Sequence, residues 1–344
     1  MARTIRLSLV VGVFVLQGCA NHTVAAWSEN EAWVYGPDGL TNYSNGLQVT
    51  LSPATPYEPC ATKCAGPTYR RFVDFLNILE AKHHSPGNDI WLRYGLAQQF
   101  FTPDDIAIPT IQPADRPYAG WLSASLDIVN ETVISDDSGN DTRYRNTVGL
   151  RIGIVGPSSL GEDLQKFWHR VCDCTEPQGW DLQLHDEPGF IYSLGHDRQF
   201  IRHDFSEWWS YDVIGSAQAA VGNIYSGVEL GGMVRLGYNL NTRWATKTMA
   251  DIGYDDGGID SNPGFFLFAG LAGRYVARDI FVDGNTWRDS HSVSRTPFVS
   301  DQMLGLGIHW NHLEIRVTMT RRTDQYRSQA APTRFGSVVV VWKP

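Results

Sequence analysis

Residues 228–240 read VELGGMVRLGYNL and alternate between two kinds of side chain. Five large apolar residues share one parity, namely Val228, Leu230, Val234, Leu236 and Tyr238. Glu229 and Arg235 lie on the other parity, together with two glycines. Successive side chains of a β-strand point to opposite faces, so this pattern predicts a strand with one apolar face and one polar face.

The same alternation recurs along the chain. Clear copies are YSNGLQVTLS (43–52), IWLRYGLAQ (90–98), YAGWLSASLDI (118–128), TVGLRIGIV (147–155), MLGLGIHW (303–310) and LEIRVTMT (313–320). We count about twelve such strands, an even number, as bacterial outer-membrane barrels have. The pattern predicts an all-β fold, a single transmembrane antiparallel β-barrel without a second domain.

Two features favour a membrane barrel over a soluble β-sandwich. The polar parity carries charges of both signs, as expected of a barrel interior: Arg93, Asp127, Arg151, Glu229, Arg235, Arg274, Glu314 and Arg316. Aromatic residues crowd the ends of the segments, which is typical of the two membrane interfaces. These residues are Trp91, Phe100, Phe101, Tyr118, Trp121, Trp208, Trp209, Tyr211, Trp310 and Trp342.

Composition excludes several classes of protein. The 344 residues are 42% hydrophobic, which is too high for a disordered chain, and no apolar run outside the N-terminus is long enough for a helical membrane bundle. The net charge is -9 and no run of Lys and Arg exists, so we expect no nucleic-acid partner. We expect the barrel to act as a monomer.

The N-terminal 26 residues predict an export signal. Arg3 and Arg6 precede an apolar stretch at 7–16, and small residues follow up to Ala26. The barrel domain is then expected at 27–344, in a bacterial outer membrane. The sequence LQGC, which ends at Cys19, resembles a lipoprotein signal, so lipidation of Cys19 competes with removal of the whole leader.

Four further cysteines, Cys60, Cys64, Cys172 and Cys174, form an even set in an exported chain. Disulfides are therefore favoured over a metal site, because no histidine lies at zinc-finger spacing. Four cysteines allow three pairings, and the sequence does not separate them.

One segment breaks the strand pattern and predicts a helix of about three turns in an extracellular loop. Ser159 and Glu162 have the spacing of a capping box, and the segment LGEDLQKFWHRV follows. Its apolar face is formed by Leu160, Leu164, Phe167 and Val171. Gln165 and His169 are neighbours on the opposite face, four residues apart.

Four motifs in order resemble the outer-membrane lipid A 3′-O-deacylase (LpxR-like) family. They are SENE with DGLTNYSNG (28–31 and 38–46), ADRPYAGW (114–121), GPSSLGEDLQKFWH (156–169) and GWDLQLHDEPG (179–189). The C-terminal part of the chain is similar only in its barrel pattern. The resemblance implies a twelve-stranded barrel whose active site lies near the outer leaflet, between the wall and the loop helix.

The resemblance also implies the site residues. The family's catalytic histidine falls on His169, its helical glutamine on Gln165 and its threonine on Ser44. Its Asn-Asp pair falls on Asn30 and Glu31, where glutamate keeps a carboxylate that can bind Ca²⁺. Serine at 44 keeps the hydroxyl, whereas a lysine that the family can carry ahead of the Asp-Arg step has no match here.

These residue types suit hydrolysis of a carboxylic ester. A neutral histidine can take a proton from water, and a hydroxyl together with Ca²⁺ can stabilise the oxyanion. The expected substrate is lipid A, or lipopolysaccharide, at its 3′-linked acyloxyacyl group. Two alternatives stay open: a phospholipase-like outer-membrane hydrolase, and a non-enzymatic barrel or pore that the helix plugs.

Overall fold

The structure, a computed structural model, describes residues 22–30, 45–53, 88–135, 141–240 and 262–342. Within these residues, twelve strands form one closed barrel in which each strand is antiparallel to its neighbours and β1 pairs with β12. The strands are β1 His22–Asn30, β2 Asn45–Pro53, β3 Asn88–Phe101, β4 Ala119–Ser135, β5 Asp141–Val155, β6 Glu187–Asp204, β7 Trp209–Gly222, β8 Tyr225–Tyr238, β9 Gly264–Asp279, β10 Phe298–Trp310, β11 Leu313–Arg322 and β12 Thr333–Trp342. The predicted fold class and strand number are confirmed.

Closure of the barrel depends on β1. Val24, Ala25 and Ala26 pair with Trp342, Val341 and Val340 of β12. The strand therefore begins five residues before the predicted start of the barrel domain at residue 27, and the expected leader boundary falls inside it. Cys19 lies outside the described residues.

Charged side chains of the polar parity are buried in the barrel interior, as the alternation predicts. Arg93 Nε donates to Asp127 Oδ2 at 2.9 Å, and Arg145 Nη2 donates to Asp197 Oδ2 at 2.7 Å. Further ion pairs join Arg235 to Asp212, Arg274 to Glu229 and Asp301, and Arg316 to Glu314. Opposite charges at close range offset the cost of removing both groups from water. This paired interior weighs against a pore, which was one form of the non-enzymatic alternative that the sequence left open.

The aromatic residues divide into two groups. Trp208, Trp209 and Trp310 lie at one end of the barrel with exposed rings, as an interfacial girdle requires. Four residues predicted for the girdle are instead buried, and that prediction is wrong for them: Phe100, Phe101, Tyr118 and Trp121. Loops that fold back over the wall or the interior cover these rings.

Five connections between described strands lie at the other end, here called the helix end: residues 102–118, 156–186, 223–224, 280–297 and 323–332. They carry helix α1 (Gly161–Cys172), the short helix α2 (Ile280–Asp283) and two 3-10 turns. Hydrogen bonds join the connections, for example from Arg116 to Gln325 at 2.8 Å. None of the helices in the described ranges is long and apolar enough to cross a membrane.

Candidate active site at the helix end

Helix α1 rests on the outer side of the barrel wall. On β4, Trp121 and Ser123 face the interior and are buried, so Gly120 has the outward parity. A Cβ on Gly120 would lie 2.1 Å from Ser159 Oγ and 3.1 Å from Gly161 Cα. Only glycine therefore allows the start of the helix to touch the strand backbone at this point.

The predicted capping box is wrong. Gly156 has a φ of 98°, and Pro157–Ser159 then form a 3-10 turn, so α1 begins later, at Gly161. Leu160 is the N-cap residue and makes no side-chain cap hydrogen bond. Ser159 Oγ instead donates to the carbonyl of Gly156 at 2.5 Å.

The apolar face of α1 points mostly away from the wall. Leu164 packs against buried apolar residues, whereas Leu160, Phe167 and Val171 are at least half exposed. Gln165, on the face predicted to be polar, is completely buried. An apolar face left uncovered outside a membrane barrel is available to lipid acyl chains.

The loop that follows α1 fastens it to the wall through Trp180. Its indole ring lies under α1 and packs against Phe100 and Tyr118, with ring centroids 6.5 Å and 5.2 Å away. Gly179 permits this contact, because a Cβ there would lie 2.4 Å from the Tyr118 ring. Burial raises the pKa of Tyr118 to about 12, so its hydroxyl stays protonated and donates to the carbonyl of Ile106.

His169 lies in the last turn of α1 and has one ring nitrogen fixed. Its Nδ1 is 2.5 Å from the carbonyl oxygen of Thr175. Because a carbonyl only accepts, Nδ1 must carry the proton, which leaves Nε2 of a neutral ring with a lone pair. The arrangement therefore gives His169 the tautomer that a general base needs.

The turn that supplies the Thr175 carbonyl is closed by a disulfide. Cys172 and Cys174 are bonded to each other, with Asp173 between them at a φ of 55°. The N–H of Cys174 donates to the carbonyl of His169 at 2.9 Å and ends the helix. This disulfide gives the pairing of two of the four cysteines, whereas Cys60 and Cys64 lie outside the described residues.

Gln165 is oriented by a hydrogen bond inside the cluster under α1. Trp180 Nε1 donates to Gln165 Oε1 at 2.7 Å. Gln165 Nε2 is buried and has no hydrogen-bond partner among the described residues. The two N–H groups of this buried carboxamide therefore have no acceptor among the described residues, one helical turn before His169.

The other predicted site residues are placed only in part. Asn30 is the last residue of β1 and has the outward parity, since its neighbour Glu29 is buried. Glu31 and Ser44 lie outside the described residues. Gln48 and Thr50, which share the parity of Ser44, face the interior and are buried.

The strand register brings Asn30 level with the point where α1 docks. Glu29 pairs with Gly46, Gly46 with Gln99, and Gln99 with Trp121, so the next outward position on β4 is Gly120. Three strand spacings separate Asn30 from Gly120, about 14 Å. A helix of 12 residues is roughly 18 Å long, enough to bridge that distance.

The amide and carboxylate oxygens of residues 30 and 31 are the donor type that Ca²⁺ prefers. Within the described ranges, no group of three or more His, Cys, Asp or Glu side chains could hold a metal ion. The fit to calcium therefore rests on the chemistry of this donor pair.

Gln98 is a further candidate site residue that was not predicted from the sequence. It has the outward parity of β3, two residues from Phe100. Its Nε2 is buried and has no hydrogen-bond partner among the described residues. An amide on an outer wall that is otherwise apolar is unusual, because a lipid-facing polar group is costly. The sequence signal that could have identified Gln98 is its parity, which places this polar residue on the same face of β3 as Leu96 and Phe100.

Replacing Gly120 by valine should separate α1 from the wall while the barrel still forms. The added side chain would collide with Gly161, and a displacement of about 1 Å can lower the rate of a reaction about a hundredfold. Gly273→Val on β9 is the matched control, because a Cβ there meets no described atom within 4 Å. Both variants should keep their heat-modifiable gel shift. Equal hydrolytic rates in the two variants would contradict a catalytic cleft between α1 and the wall.

The closed twelve-stranded barrel with an outer helix at one end defines the chain as an outer-membrane β-barrel protein. The family model described as outer membrane protein LpxR matches residues 7–344, so the chain belongs to this family. The protein therefore resides in the outer membrane, as predicted.

Comparison with solved structures gave the following matches, of which the first shares the fold. LpxR from Salmonella typhimurium has a TM-score of 0.69 at 16% identity, over 93% of this chain and 99% of that chain. The β domain of the Bordetella autotransporter BrkA gives 0.46 at 8% identity, over 94% and 99% of the two chains. The KdgM porin gives 0.36 at 9% identity, over 93% and 98%. Comparison with curated protein sequences found no match.

Proposed function

We propose that the protein is an outer-membrane esterase that hydrolyses the 3′-linked acyloxyacyl ester of lipid A. The observation that carries this proposal is the fixed Nδ1 of His169 on a helix outside the barrel wall. Membership of the LpxR family supports the substrate class. The position of α1 supports it as well, because an ester of a membrane lipid reaches the outer side of the wall without entering the barrel.

In the proposed reaction, His169 Nε2 removes a proton from water, and the resulting hydroxide attacks the ester carbonyl carbon. A tetrahedral intermediate forms, and its oxyanion accepts hydrogen bonds from the N–H groups of Gln165 Nε2; the Ser44 hydroxyl could join them only if the chain ahead of β2 turns this residue to the outer side of the wall. The intermediate then breaks the bond between the carbonyl carbon and the sugar oxygen. The protonated His169 returns its proton to that oxygen, so that one acid and one alcohol leave.

Asn30 and Glu31 are the residues that would hold Ca²⁺. When bound, the ion would supply positive charge beside the ester oxygen. The outward parity of Asn30 and its level with Gly120 support this assignment.

The exposed apolar side chains of α1 would meet the acyl chains of the substrate. Phe167 and Trp168 stack edge to face with centroids 5.4 Å apart, next to Val171. Lys166 and Arg170 lie on the same helix, and the hydrogen bond with Glu162 raises the pKa of Lys166, which keeps its charge. Positive charge beside an apolar face suits a lipid that carries both phosphates and acyl chains.

Mass spectrometry of lipid A tests the proposal. Cells that express the wild-type protein should contain lipid A that lacks the mass of the 3′-linked acyloxyacyl group, and cells with His169→Ala should not. Purified protein is then given lipid A and a glycerophospholipid in separate micelles. Release of fatty acid from the phospholipid alone would replace the proposal by the phospholipase-like alternative.

A further inference from the structure

Trp180 is the residue outside the predicted site that contacts it most directly. Its indole nitrogen donates to Gln165 Oε1 at 2.7 Å, and both side chains are almost completely buried, at 1% and 0% exposure. In the sequence, Trp180 stands out only as part of the motif GWDLQLHDEPG (179–189).

The chemistry of the two groups makes this bond directional. An indole N–H can only donate a hydrogen bond. Its partner in the carboxamide must therefore be the oxygen and not the nitrogen. The nitrogen of Gln165 must then point away from Trp180. That nitrogen is buried without a hydrogen-bond partner among the described residues, which is costly unless something accepts from it.

We propose that Trp180 is a positioning residue that holds the Gln165 carboxamide with its N–H groups toward the scissile ester. The inference rests on the proposed function. Donors that are already oriented stabilise an oxyanion without reorganising during the reaction. If the carboxamide rotated by half a turn, its oxygen would face the developing negative charge and oppose it.

The surroundings of Trp180 make it a rigid support. Phe100 and Tyr118 pack against the indole, and a Cβ on Gly161 would lie 3.1 Å from its ring edge. The 3-10 turn Trp180–Leu182 is closed by the bond from the Gln183 N–H to the Trp180 carbonyl, at 3.1 Å. The ring therefore has little freedom to move with the side chain that it holds.

Trp180→Phe tests the role, since it keeps an aromatic ring and removes the N–H. We expect kcat for lipid A deacylation to fall at least about tenfold with little change in KM, by analogy with the loss of an oxyanion donor. Tyr326→Phe is the matched control: it removes the hydroxyl of a buried aromatic ring at the same end of the barrel, but one whose hydrogen bond ends on Asp115 rather than on Gln165. It should keep the wild-type kcat.

A double-mutant cycle separates positioning from simple packing. If Trp180 acts through Gln165, Trp180→Phe should not lower kcat further in a Gln165→Ala background. Independent, multiplying losses in the double variant would overturn the proposal, and so would a wild-type kcat in Trp180→Phe.

A readout without substrate keeps the two proposals distinguishable. In ¹⁵N NMR of the whole barrel in micelles, Trp180→Phe identifies the indole N–H signal of Trp180. The proton of that signal should move upfield in Gln165→Leu, because its acceptor is lost. An unmoved signal would overturn the positioning role. A moved signal together with no lipid A hydrolysis by the wild type would count against the proposed function alone.

Discussion

Replacing His169 by alanine should lower the rate of lipid A deacylation by at least about 10²–10⁴-fold, the range typical of a lost general base. The carbonyl of Thr175 fixes the proton on Nδ1, so in the proposed reaction Nε2 is the nitrogen that takes the proton from water. His169→Gln should be equally inactive, since an amide cannot accept that proton at neutral pH. Gln165→Ala should lose less activity, because it removes a donor and leaves the base in place.

The measurement is the initial rate of fatty acid release from purified lipid A. His203→Ala is the matched control, because His203 is an exposed histidine near the end of β6 that is remote from α1. All variants must keep the heat-modifiable migration of a folded barrel. Wild-type rates in folded His169→Ala and His169→Gln would leave a non-enzymatic barrel as the better interpretation.

Removal of calcium should reduce deacylation to background, and added calcium should restore it. Oxygen donors at Asn30 and Glu31 suit Ca²⁺ better than Mg²⁺, which demands a stricter octahedral geometry and gives up its water reluctantly. We therefore expect Mg²⁺ to restore much less activity. Asn30→Ala should raise the calcium concentration needed for half-maximal rate.

Lipid A in detergent micelles is the substrate for this experiment, so that chelation does not act through an intact membrane. Asn130→Ala is a control for loss of an amide. Asn130 lies on β4, far from Gly120, which is at the start of that strand. Full activity of the wild type in excess chelator would reject the metal role, and His169 and Gln165 would then have to act without an ion.

The barrel was predictable because its two sides face very different surroundings: the interior holds paired charges, and the exterior faces lipid. Arg235 pairs with Asp212 on the neighbouring strand, whereas Leu236 is exposed on the outer face. One residue of shift in register would place such a charge in lipid, which makes the alternation a strict signal.

The burial of Phe100 and Tyr118 was not predictable in the same way. The sequence pattern of an aromatic residue at the end of a strand is the same whether its ring lies at a membrane interface or under a loop. The difference is made by Trp180, which is more than sixty positions away in the sequence and covers both rings.

Helix α1 shows the second limit. Its amphipathic pattern was visible, but the usual assumption that the apolar face docks on the protein fails outside a membrane barrel, where lipid also offers an apolar partner. The contact of Gly120 with Gly161 fixes the helix by backbone fit, which leaves no periodic signal. The six-residue step from His169 to Thr175 depends on the left-handed conformation of Asp173, which spacing alone does not reveal.

The two sides of the barrel wall make separate sets of contacts. On β3, Phe100 packs against Trp180 of the loop outside the wall, while Phe101, one residue later, stacks on Phe281 on the interior side with ring centroids 4.0 Å apart. Substitutions at interior positions and at outer positions therefore change different sets of contacts. The same wall therefore offers engineers two separately adjustable surfaces, an ion-paired interior and an outer face that carries α1.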